Sequence, residues 1–261
     1  MTALMFLGGS IEASFVRYES DNNWNILGVI VPKIDVDVAG ERVQIQKSAR
    51  DKTIAKRRFG DLENFLNRNT HGRMSADVTV LTLGTTVTQM SQVLTTMGTD
   101  GVAIRAPQMM EILENYLDVA EFDHVMFFIR SQCEFARVSV PTAWSGLYHG
   151  EFEGVHFSQV IFGPSRNCNW HNTTVFPERV LVHEFIHGLE KQSRRKGIAI
   201  PSSIDADRAI YGYGNTRAEA MRFYRDWLNG QIKCPKTNVF LGATEYSFLR
   251  PRFACQTIQN M

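Results

Sequence analysis

No apolar run in the 261-residue chain reaches the roughly 18–20 residues that a bilayer-spanning helix needs, so no membrane span is expected. An excess of one charge is also missing. Lys and Arg number 28 against 27 Asp and Glu, a formal net charge of +1, which leaves no electrostatic footprint for nucleic acid. Cysteine is sparse. Cys133, Cys168, Cys234 and Cys255 are widely spaced with no CxxC pair, which argues against a cysteine zinc ribbon. The even count permits two disulfides in an oxidising compartment, but spacing assigns no pairing. There is no internal repeat, low-complexity tract or long linker. The opening MTALMFLGG is too short for the apolar region of a signal peptide and lacks a basic flank, so it reads as mature sequence. Compartment stays open, with secretion slightly favoured, and so does oligomeric state.

What is present is an ordinary globular composition, 44% hydrophobic and 21% charged, on a chain long enough for one large domain or two modest lobes. The first part reads as mixed α and β. Asn25 to Val31, Arg42 to Gln46, Asp77 to Leu83, His124 to Arg130 and Val155 to Phe162 are rich in β-branched or aromatic residues and read as strands. Trp144 to Gly154 carries three glycines among aromatics, which predicts a loop or bulged hairpin. Asp51 to Asn67 has helical apolar spacing, and Pro107 opens a second helical segment, QMMEILENYL. The clearest helix runs from about Pro177 to Lys196, with proline in its first turn, cations in its last turns and Gly197 as a stop. A polar loop, SSIDADRAIYGYGN, then leads to a last helix from about Thr216 to Leu228. The expected class is α+β: a mixed twisted sheet, a helix carrying the site, and a smaller C-terminal helical part. The expectation is one domain over 1–261, with approximate lobes at 1–176 and 177–261.

The chemistry-bearing residues lie inside VLVHEFIHGLE, as His183-Glu184-Phe185-Ile186-His187. On a helix, residues four apart share a face with Cβ atoms about 6 Å apart, so two imidazoles can converge on one ion. Glu184 is rotated about 100° from His183 and can reach the open side of that ion without ligating it, as the general base for an attacking water. Leu181, Phe185 and Leu189 form one apolar row, and Val182 and Ile186 a second, so the back of the helix can be buried while both histidines face a cleft. Gly188 costs helix propensity but leaves room beside the site.

His183, Glu184 and His187, set in a good helix after a strand-rich region, resemble the extended signature of the zincin metallopeptidases. The resemblance implies a zincin-like fold with an edge strand lining the substrate cleft, for which Val155 to Phe162 is the candidate. It also implies one Zn2+ per chain, a protein or peptide substrate, and peptide-bond hydrolysis through a zinc-activated water with Glu184 as base. Metzincins carry glycine three and histidine six residues beyond the second histidine; Glu190 and Ser193 stand there, so this is not a metzincin by motif.

The third zinc ligand is then expected to be a carboxylate. Asp207 lies twenty residues after His187, similar to the separation in thermolysin-like enzymes, and Asp207 to Tyr213 resembles an aspartate-then-Tyr-Gly pattern of zincins with an aspartate ligand. Glu219, preceded by Tyr213, loosely resembles the lethal-factor arrangement of a tyrosine before a helical glutamate ligand. Asp205 and Glu190 are further alternatives. Tyr211 and Tyr213 are candidate oxyanion donors. The remaining histidines, His71, His124, His149, His156 and His171, are singletons and read as structural or exposed. The alternative function is a zinc-binding interaction or toxin-like module of the same fold without general proteolytic activity, which has no need of the base Glu184.

Overall fold

The computed structural model describes residues 22–38, 40–94, 100–130, 146–162, 177–205, 208–235, 237, 239–244 and 247–248. Its first strands follow the β-branched runs: β1 Asn23–Ile30, β2 Lys33–Val38 and β3 Glu41–Gln46. Helix α1, Ala49–Asn69, begins at a capping box in which Ser48 Oγ accepts from Asp51 N and Asp51 Oδ2 accepts from Ser48 N. There follow β4 Ser75–Thr82, β5 Ser91–Leu94, β6 Asp100–Ala103 and α2 Ala106–Leu113. Then come β7 His124–Arg130, β8 Gly146–Phe152 and β9 Val155–Phe162. The last elements are α3 Pro177–Arg195, α4 Arg217–Leu228 and the short strands β10 Ile232–Lys233 and β11 Phe240–Leu241. The class is mixed α+β.

A five-stranded sheet in the order β4-β1-β7-β9-β8 is the frame. The first four strands are parallel, and β8 alone is antiparallel, paired to β9 with a bulge between Tyr148 and Gly150. Central strands covered on both faces are apolar on both faces, and β1 and β7 obey this. Trp24, Ile26, Ile30, Met126 and Phe128 pack with α1, α3 and α4. Leu27, Val29, Val125, Phe127 and Ile129 pack on the opposite side with α2 and the β2–β3 hairpin. Gly28 sits where the Phe59 ring of α1 lies on the strand; a Cβ there would stand 2.7–2.8 Å from ring carbons. None of the described helices is long and apolar enough to cross a membrane.

The sheet edge differs from the sequence expectation. Val155–Phe162 is an internal strand, buried from Val155 through Val160, and the edges are β4 and, beside β9, β8. The physical reason is that VHFSQVIF, free of glycine and with its polar His156, Ser158 and Gln159 hydrogen-bonded inside the fold, suits a strand covered on both faces, whereas GLYHGEF, with two glycines and a bulge, is only partly covered. The α2 segment also stops at Leu113, short of the expected ENYL.

Candidate metal centre

Helix α3 places the site. Leu181, Val182, Phe185, Ile186 and Leu189 are fully buried against the sheet, which turns the stripe His183–His187–Glu190–Arg194 the other way. Those spacings, four, three and four, keep all four side chains on one face. The helix then ends in a Schellman motif. Gly197, at φ +69°, donates to Arg194 O at 3.1 Å, and Ile198 N donates to Ser193 O at 3.0 Å. Glycine suits that left-handed turn, and the chain doubles back to deliver residues 201–205 over the histidines.

Among the described residues one His/Asp group is close enough to share a metal ion: His183, His187 and Asp205. His183 Nε2 and His187 Nε2 lie 3.1 Å apart. Asp205 Oδ1 is 2.9 Å from the first, and Asp205 Oδ2 is 3.5 Å from the second. Two donors each about 2.0–2.1 Å from one tetrahedral zinc lie about 3.3 Å from each other. The three separations bracket that value. Burial pulls His183 below its ordinary pKa, more than the hydrogen bond to Asp205 raises it, which favours a neutral imidazole able to ligate. The hydrogen bond to His183 holds Asp205 below the usual carboxylate range, against the opposing effect of burial.

Both outer imidazole nitrogens are engaged. His183 Nδ1 is 3.0 Å from Tyr224 Oη, and His187 Nδ1 is 3.3 Å from Glu190 Oε2. Holding Nδ1 in this way leaves Nε2 for the inner face, the usual support for a metal-binding histidine. Burial pushes the Glu190 carboxyl up, but the hydrogen bonds from His187 and Arg194 outweigh it and leave it below the ordinary range.

Glu184 is buried beside them, and among the described residues its Oε2 has no hydrogen-bond partner. Burial first, and then the Asp205 charge, push its carboxyl well above the usual range. Gly146 of the edge strand makes the space: a Cβ there would overlap Glu184 Oε1 and approach Glu184 Cδ and Val180 Cγ1 at 2.7 Å. A partnerless buried carboxyl next to two converging imidazoles and a carboxylate is the setting a dication fits, because the ion supplies the missing countercharge.

The floor is aromatic. The Tyr148 ring stacks on His187 at 5.7 Å, and its hydroxyl is 2.7 Å from His156 Nδ1. His124 Nε2 is 3.0 Å from Ser158 Oγ, and the two buried histidines lie ring to ring at 5.8 Å. A Cβ on Gly188 would sit 3.2 Å from His156 and 3.4 Å from His124, so this glycine lets the helix close onto the floor.

The other sequence candidates fall as follows. Asp207 lies outside the described residues, as does His171. Glu219 is turned away from the histidines: its Oε2 accepts from Gly214 N at 3.2 Å and pairs with Arg222 at 2.9 Å. Tyr213 donates to Asp226 Oδ2 at 2.8 Å and packs edge-on against Phe223. Tyr211 accepts from Ser202 N at 3.4 Å, so it fastens the returning loop. Among the described residues, the tyrosines that reach the histidine pair are Tyr224 and Tyr148. Nothing in the sequence spacing marked either one. The i, i+3 relation of His187 to Glu190, by contrast, was there to be read. Compared with protein-family models, curated proteins and solved structures, the chain matches none of them.

Proposed function

We propose that the chain is a zinc-dependent peptidase in which His183, His187 and Asp205 hold the ion and Glu184 is the general base. The observation that carries this reading is the convergence of two imidazole Nε2 atoms and one carboxylate next to a buried carboxyl with an unpartnered oxygen. Two imidazoles and a carboxylate make a three-ligand set that leaves a position for substrate, as catalytic zinc sites do. Zinc, when bound, supplies the Lewis acidity that makes water a nucleophile near neutral pH and polarises a carbonyl. Glu184 takes the proton of the attacking water at a carboxylate oxygen and returns it to the leaving amine nitrogen. A carboxyl whose affinity for the proton is raised suits both halves of that transfer. A zincin-like arrangement of the fold is part of the proposal, supported by a largely parallel sheet with one antiparallel edge strand, β8, running past the helix that carries the histidines. Asp205, rather than Asp207 or Glu219, is the carboxylate ligand in this reading.

The test compares wild type with Glu184→Ala on a fluorescence-quenched peptide library at matched zinc content. The expected result is cleavage by wild type that EDTA abolishes and zinc restores. The variant should keep its zinc and lose about 10²–10⁴-fold in turnover. Equal cleavage by both proteins would remove Glu184 from the mechanism.

A further inference from the structure

The last residue of the α3 stripe has contacts that the proposed chemistry does not use. Arg194 Nη2 donates to Glu190 Oε1 at 2.7 Å, and Glu190 in turn holds His187 Nδ1 through its other oxygen. The same guanidinium nitrogen reaches Pro201 O at 3.3 Å and also bonds Ser202 O. Those carbonyls belong to the strap that returns from Gly197 and ends at Asp205. One cation therefore touches both sides of the centre: the helix, through the carboxylate that orients His187, and the strap, a few residues before the acidic ligand.

We infer that Arg194 is a positioning residue that latches the Asp205 strap to the His187–Glu190 pair, so that the two imidazoles and the carboxylate are brought together before an ion arrives. The inference rests on the zinc-site reading above. The Asp205 side chain has 65% of its surface accessible, so its position depends on the backbone of the strap that carries it. Beyond Arg194, the described strap is held by Ile204, buried in the core, and by Gly242 N donating to Ala199 O at 3.1 Å, with the Ser202 N to Tyr211 hydrogen bond and Asp205 N donating to Ser203 Oγ at 3.0 Å nearer the site. Arg194 adds a contact that also reaches the His187–Glu190 pair. All three acceptors lie on Nη2, whose two hydrogens are shared among the carboxylate and the two carbonyls, and a lysine ammonium on its different stem would not place its hydrogens at the same point. Loss of such an outer partner ordinarily weakens a metal site by about 10- to 100-fold.

The experiment measures Zn2+ dissociation constants of the full chain by competition with a chromophoric chelator, and the d–d absorption of the Co2+-substituted protein. The proteins are wild type, Arg194→Ala, Arg194→Lys, Asp205→Asn and the Arg194→Ala/Asp205→Asn double variant. Arg194→Ala is expected to bind Zn2+ about 10- to 100-fold more weakly, with a changed Co2+ spectrum, while its metal-free unfolding stays cooperative. Arg194→Lys should fall between it and wild type. Removing Arg194 from a chain that already lacks the Asp205 carboxylate should weaken binding by a smaller factor than in wild type. Should Arg194→Ala fail to fold, the Lys variant alone and combined with Asp205→Asn carries the same comparison. Wild-type affinity and spectrum in the folded Arg194 variants, or an equal factor with and without Asp205, would overturn the latch and leave the zinc site standing. A wild-type chain that binds no Zn2+ overturns both.

Discussion

At the scale of single residues, a buried carboxyl oxygen without a partner costs folding free energy on the order of 1–3 kcal/mol. Glu184 carries that cost, and the chain gives up the side chain at position 146 to make room for it. Gly146→Ala would move the Glu184 carboxylate without touching a ligand. It should keep full zinc content and lose about 100-fold in turnover, since misplacements near 1 Å cost that much. A matched zinc assay and peptide-cleavage assay check it, and an unaffected rate would mean that Glu184 has slack in its position. The convergence of the histidine pair was legible in the sequence because an i, i+4 spacing on a helix fixes geometry without tertiary information. The acidic partner was not. It arrives on an irregular strap whose path depends on a Schellman turn and on Arg194; counting residues from His187 favoured Asp207, which lies outside the described residues, and the carboxylate found beside the histidines among the described residues is Asp205.

At the scale of elements, the clearest case is the seat of α1 on β1. The Phe59 ring occupies the space a side chain at position 28 would need, with ring carbons 2.7–2.8 Å from an added Cβ. Gly28→Ala should therefore destabilise by about 1–3 kcal/mol through overpacking, read as a lowered urea midpoint at unchanged slope. An unchanged midpoint would show that the helix can shift freely on the sheet. Strand and helix existence was readable from periodicity: β7, β9, α3 and α4 fall within a residue or two of expectation. Strand order was not readable, because pairing partners are chosen by tertiary packing. The glycine-rich segment 146–152 gave a weak strand signal for the same reason that it serves as an edge, while the apolar run of β9 drew the edge assignment to an interior strand. β2 alternates apolar and charged residues in Lys33–Val38, the period-two signal of a strand with one covered face.

At the scale of the whole molecule, the buried histidines tie stability to pH. Burial lowers His156 to about 3 and His149 to about 4, against 6.5 for an ordinary histidine. Each is therefore neutral in the folded chain and takes up a proton on unfolding once pH falls below about 6.5. Their contribution is intact above that pH and is lost progressively as pH drops toward the folded values. Glu184, whose affinity for the proton is raised by folding, acts in the opposite direction. Between pH 7 and 5 each histidine should cost roughly 1–2 kcal/mol of stability. Denaturant midpoints across that range, compared with His156→Gln, check the sign: the variant should show the shallower decline, and an equal slope would mean that His156 does not titrate on unfolding.

Metal and stability are linked in the same way. An ion bound only by the folded chain adds about 2.7 kcal/mol at a hundredfold excess over its dissociation constant. In the proposed site this ion sits between His183, His187 and Asp205 with one position open toward Glu184. Anomalous scattering at the zinc absorption edge, from crystals of the zinc-loaded chain, tests it most directly. A single peak is expected within bonding distance of both Nε2 atoms and the Asp205 carboxylate, with its fourth position free of protein atoms. Absence of a peak there contradicts the metal site, and a fourth position filled by a protein side chain contradicts the peptidase.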